Sequence, residues 1–218
     1  ALPISSDPIW MNQYSEEEIR IAVYEASSRR SYVMAHCHTE TAIRRCVEYG
    51  VRSIEHGSEI GDETAERIAE KDVFVVPTLA VTDVLRKHGE KLGLPPMSLE
   101  KIKGLYDKIL SSIEACTKAN VKIGLGADLL GHEYHPLQGR ELALRGEVNT
   151  PIDVLRSATS VNAELLQQAG KIGCIKAGAY ADLIVLDFDP FKDLGGFENA
   201  EKNIPLVMKG GKLVRNTL

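Results

Sequence analysis

Two imidazoles and a carboxylate end three separate apolar runs of this sequence. His36 closes Tyr32-Val33-Met34-Ala35-His36, His56 closes Arg52-Ser53-Ile54-Glu55-His56, and Asp128 follows Val121 to Leu125. If the runs are neighbouring parallel strands, their ends meet around one mouth. Histidine nitrogens and a carboxylate converging there are suitable ligands for Zn2+ or a similar ion. A single histidine in such a place is more simply a hydrogen-bonded structural group. Two histidines and an aspartate, each ending a buried strand, favour a metal site formed by His36, His56 and Asp128. His38 lies two residues after His36, so strand alternation turns both to one face and turns Cys37 away from them.

Other polar groups carry weaker readings. His88, beside Lys87 in a helical stretch, reads as a solvated surface residue. His132 and His135 lie in a polar loop after Asp128, where they either touch substrate or solvate the loop. Glu55 should point away from His56 toward the helices, as a structural hydrogen-bonding group. Thr78, after Pro77, ends the third apolar run and is placed to line a pocket.

The elements that would position these groups alternate. Ser15 with Glu18 is a capping box that opens a helix with an Ile19, Val23, Ala26 stripe. Helices are also expected over 39–49, 62–71, a region broken near 93–96 and resuming over 98–120, and 141–145, 151–158 and 163–169. Between them lie strands ending near His36, His56, Val76 and Leu125. Each is a short, continuously apolar run, the pattern of parallel strands buried on both faces. Reactive groups at the C-terminal ends of such strands match the architecture of a (β/α) barrel. The tail differs: 181–187 reads as a strand, and 206–208 and 212–214 flank Gly210-Gly211 as a hairpin. The expected organisation is therefore α/β, with a partial barrel over 1–170 and small antiparallel β strands over 171–218.

The chain has 218 residues, 44% hydrophobic and 26% charged, with 26 basic against 31 acidic side chains. This composition suits a globular protein and excludes disorder. The net charge of −5 without any like-charge block argues against nucleic acid or an anionic membrane as a partner. No apolar run reaches the roughly 20 residues of a spanning helix. Four scattered cysteines suggest a reducing, cytoplasmic setting rather than a disulfide framework. The opening Ala1 to Pro8 reads as a loop from the middle of something longer.

These motifs resemble those of the amidohydrolase superfamily, in its imidazolonepropionase-like, prolidase-like branch of dipeptidases and carboxypeptidases. The matching stretches are Val33 to Thr39, Ser53 to Gly57, Val76 to Leu79, Gly124 to Asp128, Arg156 to Thr159 with Asn162-Ala163, and Gly178 to Val185. The resemblance covers nearly the whole chain. It implies that His36, His56 and Asp128 end barrel strands 5, 6 and 8, with the antiparallel tail as the return from the barrel. It further implies two histidine ligands for one metal, an aspartate that binds a second metal and handles the proton, and two zinc ions in the complete enzyme. His38, His135 and Arg140 would meet substrate, Arg140 as a carboxylate clamp or else as an ordinary surface arginine. The family's first-strand His-x-His pair and fourth-strand bridging lysine have no counterpart here. Eight barrel strands take roughly 250 residues, so this stretch is expected to be the second half of the site. The upstream part of the same polypeptide would be its partner, and a homo-oligomer is compatible with the sequence.

The implied reaction is hydrolysis of an amide or peptide bond in a small molecule or short peptide. Deamination of a cyclic amidine, or imidazolonepropionase-like ring hydrolysis, is the enzymatic alternative. Such relatives usually carry a glutamate three residues after the strand-5 histidine, where this chain has Thr39. A non-catalytic fragment that only associates with a partner is the alternative from another class.

Overall fold

The computed structural model describes residues 10–218. The opening stretch read as a loop lies outside the described residues. The chain forms two compact units, one ending at Ile123 and one spanning Gly124–Leu218.

The first unit alternates helix and strand: α1 (Glu16–Ser28), β1 (Met34–Cys37), α2 (Glu40–Glu48), β2 (Ser53–His56), α3 (Asp62–Glu70), β3 (Phe74–Val76), α4 (Leu79–His88), α5 (Pro96–Ile102), α6 (Leu105–Lys118) and β4 (Lys122–Ile123). The four strands form one sheet in the order β1-β2-β3-β4. All three pairings are parallel, with His36 opposite Glu55, Cys37 opposite His56, and Val75 opposite Ile123. The C-terminal ends of all four strands therefore share one edge of the sheet. Ile54, Phe74 and Val75 are all buried although Phe74 and Val75 point to opposite faces, as continuous apolar strands covered on both sides require.

The capping box is present: the Glu18 amide donates to Ser15 Oγ, and the Ser15 amide donates to Glu18 Oε2 at 2.7 Å. The helix expected over 98–120 is two helices, because Gly104 adopts a left-handed φ of 70° between α5 and α6. Glycine reaches that region without a Cβ penalty, which is why a break there leaves little trace in a periodicity pattern. Among the described residues, no helix is long and apolar enough to cross a membrane.

The second unit holds a 3-10 turn (His135–Gly139), α7 (Arg140–Arg145), α8 (Pro151–Arg156), a π turn (Ser157–Val161) and α9 (Asn162–Leu165). Next come β5 (Leu183–Val185), a 3-10 stretch (Leu194–Asn199), α10 (Ala200–Asn203), β6 (Leu206–Lys209) and β7 (Lys212–Asn216). Thr150 caps α8, with Pro151 in its first turn, as its sequence suggests. Leu142, Val154, Leu194 and Phe197 form the core, with Leu125, Leu155, Leu186 and Phe188 packed against it. The tail is a three-stranded antiparallel sheet, β5-β6-β7. Gly210 and Gly211 turn its hairpin at φ 56° and 78°, the two positive values that a tight two-residue turn needs.

Candidate metal centre

The alternation along β1 divides its polar residues as expected. Cys37 turns to α2, where its Sγ lies 3.4 Å from that of Cys46, and both thiols are buried. Contact with Cys46 and burial push the Cys37 thiol well above the ordinary cysteine range. That leaves it a packing group rather than a ligand. His36 and His38 turn the other way, to His56 on the neighbouring strand.

His36 Nδ1 and His56 Nε2 face each other at 2.8 Å. The His38 ring stacks on that of His56, with centroids 4.8 Å apart and planes 5° from parallel. Each of the other ring nitrogens of His56 and His38 has a defined setting. His56 Nδ1 lies 2.7 Å from Thr78 Oγ1, which comes from the end of β3. His38 Nδ1 lies 2.9 Å from Ser58 Oγ, while His38 Nε2 is buried with no hydrogen-bond partner among the described residues. Ser58 is itself braced from α6: Ser112 Oγ donates to the Ser58 carbonyl and accepts from the Ile60 amide.

Backbone conformation marks the same places. Seven non-glycine residues have positive φ among those described. Arg30, Asp72, Asn120 and Gln167 lie two residues beyond the ends of α1, α3, α6 and α9, where a left-handed residue commonly ends a helix. The remaining three are His56 at 72°, Thr78 at 52° and Asp128 at 47°. These end or follow β2, β3 and β4. Left-handed non-glycine residues cost energy and cluster at functional sites.

The imidazole pair fits a divalent ion. Two nitrogens bound tetrahedrally to one zinc stand about 3.3 Å apart, so the observed pair needs to part by only about 0.5 Å. Thr78 holds the other nitrogen of His56, the outer hydrogen bond by which metal-binding histidines are usually oriented. No rearrangement of strand ends is required.

Burial holds the imidazole of His56 at about 3 and that of His38 at about 4, with the neighbouring histidine rings acting in the same direction. Both lie below the ordinary imidazole value of about 6.5. Between about 6.5 and these values the unfolded chain takes up protons that the folded chain refuses. The stability they confer is complete above about pH 6.5 and is lost as pH falls toward 4 and then 3. The metal-free protein is expected to show a falling Tm over that interval, and a smaller fall in a His56→Gln variant. A Tm that is flat from about pH 7 to 4 would contradict this assignment of neutral rings.

The other sequence-predicted site residues lie in the second unit. Asp128 comes five residues after β4. His135 opens the 3-10 turn and is exposed. Arg140 Nη1 donates to both carboxylate oxygens of Glu198, at 3.1 and 3.2 Å, so the guanidinium already carries a carboxylate. His132 is almost fully exposed beside Glu133. In the first unit, His88 is exposed on α4, and Glu55 accepts from Ser53 Oγ as a structural group. Ser58 and Ser112 escape a reading of the sequence, since small serines in a loop and mid-helix carry no pattern of their own.

Parallel strands alternating with helices, with histidines at the C-terminal strand ends, match the (β/α)-barrel architecture. The Amidohydrolase family model matches residues 4–214, and the chain belongs to the amidohydrolase family. Ochratoxinase of Aspergillus niger is 34% identical over 206 residues, which is 93% of this chain and 42% of that protein. The crystal structure of an amidohydrolase superposes with a TM-score of 0.94 at 47% identity, covering 97% of this chain and 51% of that one. A prolidase complexed with N-methylphosphonate-L-proline gives a TM-score of 0.93 at 43% identity, covering 97% and 52%. The chain thus spans about half the length of these relatives. Its four parallel strands are strands 5–8 of a (β/α)8 barrel, and its tail is the antiparallel unit after it.

Proposed function

We propose that the intact protein is a metal-dependent hydrolase of amide or peptide bonds, acting on a dipeptide or an N-acyl amino acid in the manner of a prolidase or a carboxypeptidase. The observation that carries this is the His36–His56 pair: two ring nitrogens from adjacent strand ends at 2.8 Å, one ring already fixed by Thr78. The likeness to a prolidase at 43% identity and to ochratoxinase at 34% supports the bond class. Residues 1–170 would then form the barrel part and 171–218 the small β domain.

In this reading His36 and His56 would hold one zinc or similar ion, and Asp128 would contribute a carboxylate to the metal site. Support for Asp128 is its motif, its left-handed backbone, and its place shortly after β4, whose C-terminal end shares the sheet edge of β1 and β2. A bound ion, or a pair, would make water nucleophilic at neutral pH and polarise the substrate carbonyl. Asp128 takes a proton from the attacking water and delivers it to the leaving nitrogen. His38 offers its unmet, buried Nε2 to the substrate. His135 and Arg140 would bind the substrate, with Arg140 exchanging Glu198 for the substrate carboxylate. The remaining ligands would come from an upstream part of the same polypeptide. A groove of about 570 Å3 on the outer side of β1, lined by Met11, Tyr14, Ile19, Met34 and Cys46, suits such a neighbour.

The test is turnover by the full-length protein on Xaa-Pro and Xaa-Phe dipeptides and N-acyl amino acids, with free amino acid and ammonia measured together. Amino-acid release that chelation abolishes and zinc restores is expected. Ammonia release would replace this reading by deamination, and an inert, metal-free protein would replace it by the non-catalytic one.

A further inference from the structure

We infer that Asn162 is a positioning residue for Asp128: its side-chain amide stands in for a neighbouring strand along Leu125 and fixes the backbone that presents Asp128. The inference rests on the reading of Asp128 as a metal-site carboxylate and proton acceptor.

The strand expected over 121–125 stops at Ile123. Two residues later, the Leu125 amide donates to Asn162 Oδ1 at 3.0 Å, and Asn162 Nδ2 donates to the Leu125 carbonyl at 2.8 Å. One side chain thereby satisfies both backbone groups of one residue, the service that a hydrogen-bonded partner residue performs in a sheet. The preceding carbonyl is held as well. Arg145, 1% exposed on α7, donates from Nη1 to the Gly124 carbonyl at 3.1 Å and from Nε to Asn149 Oδ1 at 3.0 Å. Two consecutive backbone units are therefore pinned by side chains shortly before Asp128 takes its left-handed φ of 47°. A conformation of that kind persists only where its surroundings over-determine it.

The route to Asn162 is also unusual. The π turn at Ser157–Val161 separates α8 from α9, and Asn162 is the first residue after it. A π turn inserts one extra residue, so everything beyond it is rotated by about 100° relative to an uninterrupted helix. The insertion is what brings residue 162, rather than a neighbour, against Leu125. Such turns are frequent at functional sites.

The experiment uses the full-length protein with Asn162→Ala, which removes both bonds, and Asn162→Asp, which keeps the acceptor for the Leu125 amide and loses the donor to its carbonyl. Hydrogen exchange at the Leu125 amide, zinc affinity by chelator competition, and kcat and KM on the dipeptide or N-acyl amino acid that the wild type hydrolyses are measured. In Asn162→Ala we expect exchange about 10-fold faster, with zinc affinity and kcat each about 10- to 100-fold lower and KM little changed. Asn162→Asp should lie between it and the wild type, and it carries the test if the alanine variant does not fold. Unchanged Leu125 exchange overturns the clamp, and faster exchange with wild-type zinc affinity overturns its role for Asp128. A wild-type protein that binds zinc but hydrolyses none of the substrates defeats the hydrolase reading alone, since exchange and zinc affinity still decide this one. A wild-type protein that binds no zinc removes the premise and the inference together.

Discussion

Asp128→Asn in the full-length, zinc-loaded protein is expected to lower kcat by about 10^2- to 10^4-fold, the range a positioned acid–base group contributes. Asparagine keeps the size and one oxygen of the aspartate, so packing and the left-handed backbone at φ 47° should survive. Asparagine tolerates that backbone region better than most residues. It cannot, however, accept the proton of the attacking water and return it to the leaving nitrogen. KM should therefore change far less than kcat, and zinc content should be measured on the same preparation. A variant that stays zinc-loaded and turns over at the wild-type rate would remove Asp128 from the mechanism.

The second large effect separates the two histidines by burial. His36 is exposed and His56 is 7% exposed, yet both nitrogens face one point. His36→Ala should cost the centre its ion, measured as zinc retained after dialysis, with a Tm close to that of the metal-free wild type. His56→Ala should lose the ion and also lower the Tm of the metal-free protein, because it empties a buried volume and strips Thr78 Oγ1 and the His38 ring of contacts they now have. Buried large-to-small changes typically cost about 2–5 kcal/mol. Equal Tm values for the two metal-free variants, or full zinc retention in either, would contradict the arrangement.

Much of this was legible in the sequence because it depends on local periodicity. The Ser15–Glu18 capping box, the helix–strand alternation and the parallel character of the four strands arise from patterns a few residues long. The opposed directions of His36 and Cys37 come from strand geometry alone. Other features depend on partners distant in sequence. No local rule says that β4 stops at Ile123, because the residue that replaces its neighbour at Leu125 is Asn162. The left-handed conformation of Thr78 runs against the preference of a β-branched residue, and that of His56 is one its residue type tolerates without requiring, so the surrounding fold decides both. The π turn is equally silent, since Ser157 to Val161 reads as ordinary helix. Arg140 shows the converse: a plausible clamp by sequence, it already grips Glu198.

The kinks at His56 and Thr78 have a bearing on how such a protein diversifies. Each strand hands its chain to the next segment at a fixed, sharply bent residue. Insertions beyond the bend can lengthen or reshape the downstream loop without dragging the side chain at the bend with it. The outlying segments are then free to be exchanged, while the facing imidazole nitrogens of His36 and His56 keep their spacing.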